Sequence, residues 1–266
     1  MTTTAVAPGI AQPEPMSFDL GGKHAVVIGG GTGIGKAIAE GLGKAGARLT
    51  LVGRRREVLE NTAVEFGKPG IAAGVDPVDA TDMSQLKSLA ARCEATAPVD
   101  ILVNAQGIMT LKPAEEFTPE DFDRIVNTNV KSVYFAALEF GRAMLERGRG
   151  NIISIASLAS FRGFPRNAIY CISKHGVVAL TETLAAEWAA RGVRVNAIAP
   201  GFFMTDLNKD TMKDDRKALA MARTPMHRFG QTHELAGAAV YLASPAASYV
   251  TGVTIPVDGA FLASGM

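Results

Sequence analysis

Tyr170 and Lys174 stand four residues apart in this 266-residue chain. On a helix that spacing stacks the two side chains on one face, within reach of one shared ligand. A phenol ordinarily titrates near about pH 10 and moves protons poorly at neutral pH, but an ammonium beside it favours the phenolate and makes tyrosine a usable acid and base. Ser157 ends an apolar run over 151–156 that reads as a buried strand, so its hydroxyl could hydrogen-bond the oxygen that Tyr170 protonates. The loop between carries Arg162 and Arg166, two cations that would suit an anionic substrate such as a sugar acid; the alternatives are solvated loop charges or subunit contacts.

A tyrosine and a lysine at this spacing are a weak signal alone, so the elements that position them matter. Residues 24–29 form an apolar run without alternation, as in a parallel strand covered on both faces. Gly29-Gly30-Gly31-Thr32-Gly33-Ile34-Gly35 follows, and then a helical pattern over 36–45 with Ile38, Ala39 and Leu42 on one stripe. Glycines in such a turn let the backbone pass close to a pyrophosphate, and the free N–H groups of the helix start point at the anion. A second strand, 48–52, ends at Gly53-Arg54-Arg55-Arg56. An acid there would accept from the 2′-hydroxyl of NAD, and an arginine would meet the 2′-phosphate of NADP. With no carboxylate present and Arg54 and Arg55 in place, NADP(H) is favoured; an arginine stacked on adenine in an NAD(H) protein is the alternative.

Further along, a helix over 57–66 and a strand over 71–77 lead to Asp79-Ala80-Thr81-Asp82, with Asp82 expected to cap a helix over 83–96 and Gln85 as its partner. The buried strand 99–103 ends in Asn104-Ala105-Gln106-Gly107. Thr118-Pro119-Glu120-Asp121 is a strong helix start, and one helix is expected to about residue 147. Asn127 and Asn129 fall in its middle, where asparagine is disfavoured and often bends the helix. A helix over 167–191 carries Tyr170 and Lys174 and is apolar on several faces, which points to a subunit interface. Strand 193–199 runs into Pro200-Gly201-Phe202-Phe203-Met204-Thr205, and the polar, Met-rich stretch from about 202 to 230 is expected to be a mobile lid. Thr232 is placed to cap a helix through 243, and 251–259 supply a last strand and turn.

In order and wording these motifs resemble the short-chain dehydrogenase/reductase family, over nearly the whole chain from about Phe18. The spacing of Gly29, Gly33 and Gly35 is similar to the family's Gly-x-x-x-Gly-x-Gly. The resemblance implies that Gly29, Gly31, Thr32, Gly33, Ile34 and Gly35 hold the cofactor pyrophosphate, that Asp79 and Ala80 meet the adenine, and that Asn104, Ala105 and Gly107 line the adenosine pocket. It also implies that Pro200, Gly201, Phe203 and Thr205 cover the nicotinamide. Tyr170 would exchange a proton with the substrate oxygen, Lys174 would lower the phenol pKa and bind the nicotinamide ribose, Ser157 would polarise the carbonyl, and Asn129 would hold a relay water. Ile28, Ala105, Gln106 and Ala260 depart from the family's usual wording. Residues 224–230 and 235–239 look similar to gluconate 5-dehydrogenase-like members. A 3-oxoacyl-carrier-protein reductase shares the same motifs, but no basic patch for an acidic carrier is evident. A catalytically silent nucleotide-binding scaffold on the same fold is the reading from another class, against which the intact Asn129, Ser157, Tyr170 and Lys174 argue.

The expected fold class is α/β, a single doubly wound Rossmann-type domain over 17–266 with a seven-stranded parallel sheet and six intervening helices, because right-handed crossovers between these strands cover both faces. An eight-stranded barrel carries its phosphate loops late, whereas the glycine loop here follows the first strand. Residues 1–16 lack a basic start and an apolar core, so a mobile tail is expected rather than a secretory signal. A net charge of +1 gives no footprint for nucleic acid or an anionic membrane. Two cysteines, Cys93 and Cys171, are too few for a disulfide framework and fit a reducing cytoplasm. Expected partners are a small-molecule alcohol or ketone and like subunits in a homodimer or homotetramer, with no metal ligand set.

Overall fold

The computed structural model describes residues 15–204 and 214–264. In chain order the elements are β1 (His24–Ile28), α1 (Gly33–Lys44), β2 (Arg48–Gly53), α2 (Arg56–Gly67), β3 (Ala73–Pro77), α3 (Met83–Thr96), β4 (Ile101–Asn104), α4 (Pro119–Val126), α5 (Ser132–Arg147), β5 (Gly150–Ile155), α6 (Ala168–Trp188), β6 (Val193–Pro200), α7 (Asp214–Arg223), α8 (His233–Ala243) and β7 (Thr254–Val257). The strands pair in parallel in the order β3-β2-β1-β4-β5-β6-β7. Chain direction across the sheet reverses between β1 and β4, and the crevice at that switch, above the strand carboxyl ends, is where open α/β sheets take ligands.

Both faces of the sheet are covered. Ala25 and Val27 of β1 pack with Ile38 and Leu42 of α1, Leu59 and Phe66 of α2, and Leu235 and Leu242 of α8. Val26 and Ile28 point to the other face, against Leu86 and Leu89 of α3, Phe140 and Met144 of α5, and Leu184 and Trp188 of α6. This alternation of successive strand residues between two apolar layers is why the run lacks a polar period. Ile28, one of the departures in wording, is a core residue, 1% exposed.

Two helix starts form as expected. The Asp82 carboxylate accepts the Ser84 and Gln85 N–H groups, and Gln85 donates back to it at 2.9 Å. Thr118 and Asp121 make a reciprocal capping box. Three expectations are corrected. The helix from 118 to 147 is broken by a π-helical turn, Asn127–Lys131, in which the Ser132 N–H reaches back five residues to the Asn127 carbonyl. The stretch read as an aperiodic lid contains α7, whose Lys, Ala, Leu and Met favour helix; Thr205 and the rest of 205–213 lie outside the described residues, as do 1–14 of the expected tail. Thr232 makes no side-chain cap to α8; the Glu234 carboxylate instead accepts the Gln231 N–H at 2.7 Å and pairs with Arg228. Cys93 and Cys171 are buried free thiols, and burial pushes Cys93 up to about 12.

Candidate active site

A cavity of about 690 Å³ opens at the switch between β1 and β4. Its floor is the glycine turn from β1 to α1, with Gly29, Gly31, Thr32, Gly33, Ile34 and Gly35 all on its wall. Two of these glycines are required by contact. A Cβ on Gly35 would lie 2.2 Å from the Gly29 carbonyl oxygen, and Gly29 itself has φ +84 with the Ala105 backbone 2.9 Å from where its Cβ would be. The turn therefore folds onto itself and presents the first N–H groups of α1 to the cavity, an anion-binding arrangement. Thr62 of α2 steadies it by donating its hydroxyl to the Gly31 carbonyl at 2.9 Å.

Arg54 and Arg55, after β2, form one end of the cavity, and Asp79 and Ala80, after β3, stand beside them. Asp79 Oδ1 accepts both the N–H and the hydroxyl of Thr81, at 2.9 and 2.7 Å, while the Asp79 N–H donates to Gln85. Ala105 and Gly107 line the far wall. Asn104 lies beneath it, 1% exposed, with its Nδ2 unpartnered. Gln106 reaches across to the π turn, donating to Ser132 Oγ at 3.1 Å, and Ser132 donates to the Thr128 carbonyl at 2.6 Å.

Asn129, Ser157, Tyr170 and Lys174 gather beside Gly107 of this wall without themselves lining the cavity. Ser157 follows β5, its hydroxyl accepting the Ala159 N–H at 3.1 Å, beside the Tyr170 phenol whose ionised form it favours. Lys174, one turn along α6, is 4% exposed, with Nζ 5.7 Å from the Tyr170 ring centroid and donating to the Ile155 carbonyl at 2.6 Å. Gly107 joins the cavity to the group: a Cβ there would stand 3.5 Å from both Lys174 Nζ and Asn129 Oδ1. Asn129, fully buried in the π turn, accepts the Ile108 N–H at 2.8 Å and donates Nδ2 to the Ile108 carbonyl and Ser173 Oγ at 2.9 and 3.0 Å. Both amide hydrogens are thus committed, and a relay water would have to use an oxygen of this turn.

The electrostatics correct one expectation. Burial pushes the Tyr170 phenol above its ordinary 10, outweighing the Ser157 bond that favours ionisation. The neighbouring ammonium does not reverse this: burial lowers Lys174 itself to about 8, and its charge is engaged by the Ile155 carbonyl. The phenol is therefore neutral at neutral pH in the protein alone.

The remaining expected residues lie further out. Arg162 and Arg166 are exposed and line neither cavity; Arg162 donates to the Phe161 carbonyl at 3.0 Å, and Arg166 sits in a left-handed conformation, φ 65, its carbonyl accepting the Lys112 N–H. Pro200 ends β6, and Gly201 packs so closely that a Cβ would meet the Asp258 backbone at 2.6 Å. Phe203 is 5% exposed, bridged to Gly230, and borders a smaller cavity of about 110 Å³ with Met226 and Asp258. Thr205 lies outside the described residues. Among the described residues no group of three or more His, Cys, Asp or Glu could hold a metal ion, and no helix is long and apolar enough to cross a membrane. Sequence reasoning missed Thr62, Ser160 and Ser173; the last two were visible only as serines three residues after Ser157 and directly before Lys174.

Comparison with known proteins gives the family and the fold. The family model described as enoyl-(acyl carrier protein) reductase, of the short-chain dehydrogenase class, matches residues 29–261. Gluconate 5-dehydrogenase of Gluconobacter oxydans is 38% identical over 253 residues, 94% of this chain and 99% of that protein. Galactitol 2-dehydrogenase (L-tagatose-forming) of Cereibacter sphaeroides is 42% identical over 247 residues, 92% and 96% of the two chains. The crystal structure of a gluconate 5-dehydrogenase from Burkholderia cenocepacia, in complex with NADP and tartrate, superposes with a TM-score of 0.89 at 36% identity, covering 93% of this chain and 98% of that one.

Proposed function

The chain belongs to the short-chain dehydrogenase/reductase family, and on that premise we propose that it interconverts a secondary alcohol and a ketone in a sugar acid or polyol, with NADP(H) preferred over NAD(H). The observation that carries this reading is that half-buried Tyr170 and buried Lys174 share a face of α6 beside Ser157, next to Gly107 on the wall of the cavity that also holds Arg54 and Arg55.

The cavity fits a dinucleotide. Its glycine turn has no room for a Cβ on Gly35, and α1 opens on it with free N–H groups for a pyrophosphate. Arg54 and Arg55 would take the 2′-phosphate; no carboxylate replaces them at the end of β2. Asp79 and Ala80 would meet the adenine, Ala105 and Gly107 the adenosine wall, and Pro200, Gly201, Phe203 and Thr205 the nicotinamide side. When bound, the nicotinamide cofactor supplies a hydride acceptor or donor. Tyr170 protonates the substrate oxygen in reduction and accepts its proton in oxidation, for which a phenol kept neutral by burial starts in the donor state. Ser157 directs its hydroxyl to the same oxygen, and Lys174 stabilises the phenolate as it forms. Asn129 fixes the Ile108 backbone that borders the site. Arg162 and Arg166, on the loop after Ser157, would attract a carboxylate-bearing substrate.

Phe122, Tyr134 and Ile172, exposed on α4, α5 and α6, support self-association into a dimer or tetramer; a monomeric mass in solution would count against it. The substrate reading is tested with purified protein and NADP(H) or NAD(H) over sugar acids, polyols, simple ketones and a short 3-oxoacyl thioester. Turnover of gluconate, a keto-sugar acid or a polyol with NADP(H) supports it. Turnover of the thioester or a simple ketone alone overturns the sugar reading, and cofactor binding without turnover of any compound overturns the enzyme reading.

A further inference from the structure

Two serines outside the reacting group tie its members together. Ser160 is 4% exposed, in the short helical turn after β5. Its hydroxyl accepts the Ser157 N–H at 3.3 Å and donates to the Lys174 carbonyl at 2.6 Å. Ser173, fully buried on α6, donates to the Tyr170 carbonyl at 2.8 Å and accepts Asn129 Nδ2 at 3.0 Å. Each hydroxyl thus spans two backbone or side-chain groups from different elements: Ser160 joins the end of β5 to α6, and Ser173 joins the π turn to α6. The Lys174 side chain makes a third tie, to the Ile155 carbonyl of β5.

A helix docked by apolar contacts alone can slide and rotate by fractions of an ångström at small cost, because dispersion contacts have no preferred direction. Hydrogen bonds do. The face of α6 that carries Tyr170 and Lys174 meets β5 on one side and the π turn on the other, and each boundary is pinned by one of these hydroxyls. We propose that Ser160 and Ser173 are positioning residues, which set the register of α6 against β5 and the π turn so that Ser157, Tyr170, Lys174 and Asn129 keep one relative geometry. Neither touches the cavity that would hold a cofactor.

The inference rests on the dehydrogenase reading for its kinetic readout, so the test has a second readout that does not need turnover. Ser160→Ala and Ser173→Ala are compared with wild type and with Ser160→Thr, which keeps a hydroxyl. Each alanine variant loses two hydrogen bonds, and about 1 kcal/mol of that loss carried into the transition state corresponds to about a fivefold fall in kcat. KM for the cofactor is expected to stay within about twofold, since cofactor contacts are untouched, and Ser160→Thr is expected to recover most of the rate. Independently, ultraviolet difference titration of the phenolate, referred to Tyr170→Phe, should place the Tyr170 transition at a different pH in the alanine variants than in wild type. The groups around that phenol are Ser157, Lys174 and Cys171. Alanine variants with the wild-type kcat and the wild-type Tyr170 titration overturn the proposal. So does a loss of rate that Ser160→Thr shares in full and that follows thermal stability alone. If wild type turns over none of the compounds, the dehydrogenase reading fails while the phenolate titration still decides the positioning role.

Discussion

Replacing Lys174 with methionine separates what its charge costs the fold from what it does in the site. The side chain is 4% exposed, and burial lowers its ammonium from an ordinary 10.5 to about 8. Below about pH 8 folded and unfolded chains both carry the proton, and the fold bears the full penalty of a buried charge. Between about 8 and 10.5 the folded chain has released that proton and the unfolded chain still holds it, so wild-type stability rises with pH across this window. At about 1.4 kcal/mol per pH unit, the rise amounts to about 3 kcal/mol. Methionine keeps the length of the side chain without a titrating group, so the variant lacks the rise. Tyr170, pushed above its ordinary 10.0, is present in both proteins, and the difference between them isolates the lysine. Urea unfolding followed by the fluorescence of the single tryptophan, Trp188 on the same helix, measures both stabilities across the window. Wild type minus variant is expected to climb by about 3 kcal/mol between neutral pH and the top of the window. A flat or falling difference would refute the reasoning, because it would mean that burial does not disfavour the ammonium.

Other perturbations address the cavity, the π turn and the core. Gly35→Ala places a Cβ 2.2 Å from the Gly29 carbonyl, so the turn must open; cofactor affinity by calorimetry is expected to fall by about tenfold or more, close to 1.4 kcal/mol. Arg54→Ala removes a charge-assisted contact worth about 2 kcal/mol, which should raise KM for NADP about thirtyfold and leave KM for NAD near wild type; equal effects on both cofactors would remove the phosphate assignment. Asn129→Ala strands the Ile108 N–H and carbonyl, and is expected to cost about 2 kcal/mol of stability in urea titrations and most of the turnover. Cys93, with its thiol pushed up to about 12, should resist a thiol-specific reagent in the native protein and react on unfolding; rapid native labelling at Cys93 would contradict its burial.

Much of this architecture was legible because it rests on short-range rules. Uninterrupted apolar runs marked the inner strands β1, β4, β5 and β6, which are covered on both faces, and Asp82 and Thr118 marked helix starts because their oxygens meet nearby N–H groups. The tight glycine turn was legible in the same way: Gly29 and Gly35 face backbone contacts that leave no room for a Cβ. The π turn was only hinted at, by Asn127 and Asn129 within a helical pattern; its five-residue hydrogen bond and the tie of Asn129 to Ile108 join groups that residue type alone does not pair. Thr232 looked like a cap, yet its backbone is already helical, and the Glu234 and Leu235 N–H groups it would take donate to the Gln231 and Thr232 carbonyls. The upward direction of the Tyr170 shift was not legible, since spacing reveals a neighbouring ammonium but not the desolvation of the phenol, which is the largest influence on it. Ser160 and Ser173 gave no signal beyond their residue type, because their role depends on three elements meeting.

The central claim is that Tyr170 moves the proton. Its most direct test compares Tyr170→Phe with wild type, on whichever substrate wild type turns over, while cofactor affinity is measured for both by calorimetry. The account predicts unchanged cofactor binding and a fall in kcat of at least about 100-fold, the usual scale of a lost general acid. Turnover by Tyr170→Phe at the wild-type rate, with cofactor bound normally, would contradict it.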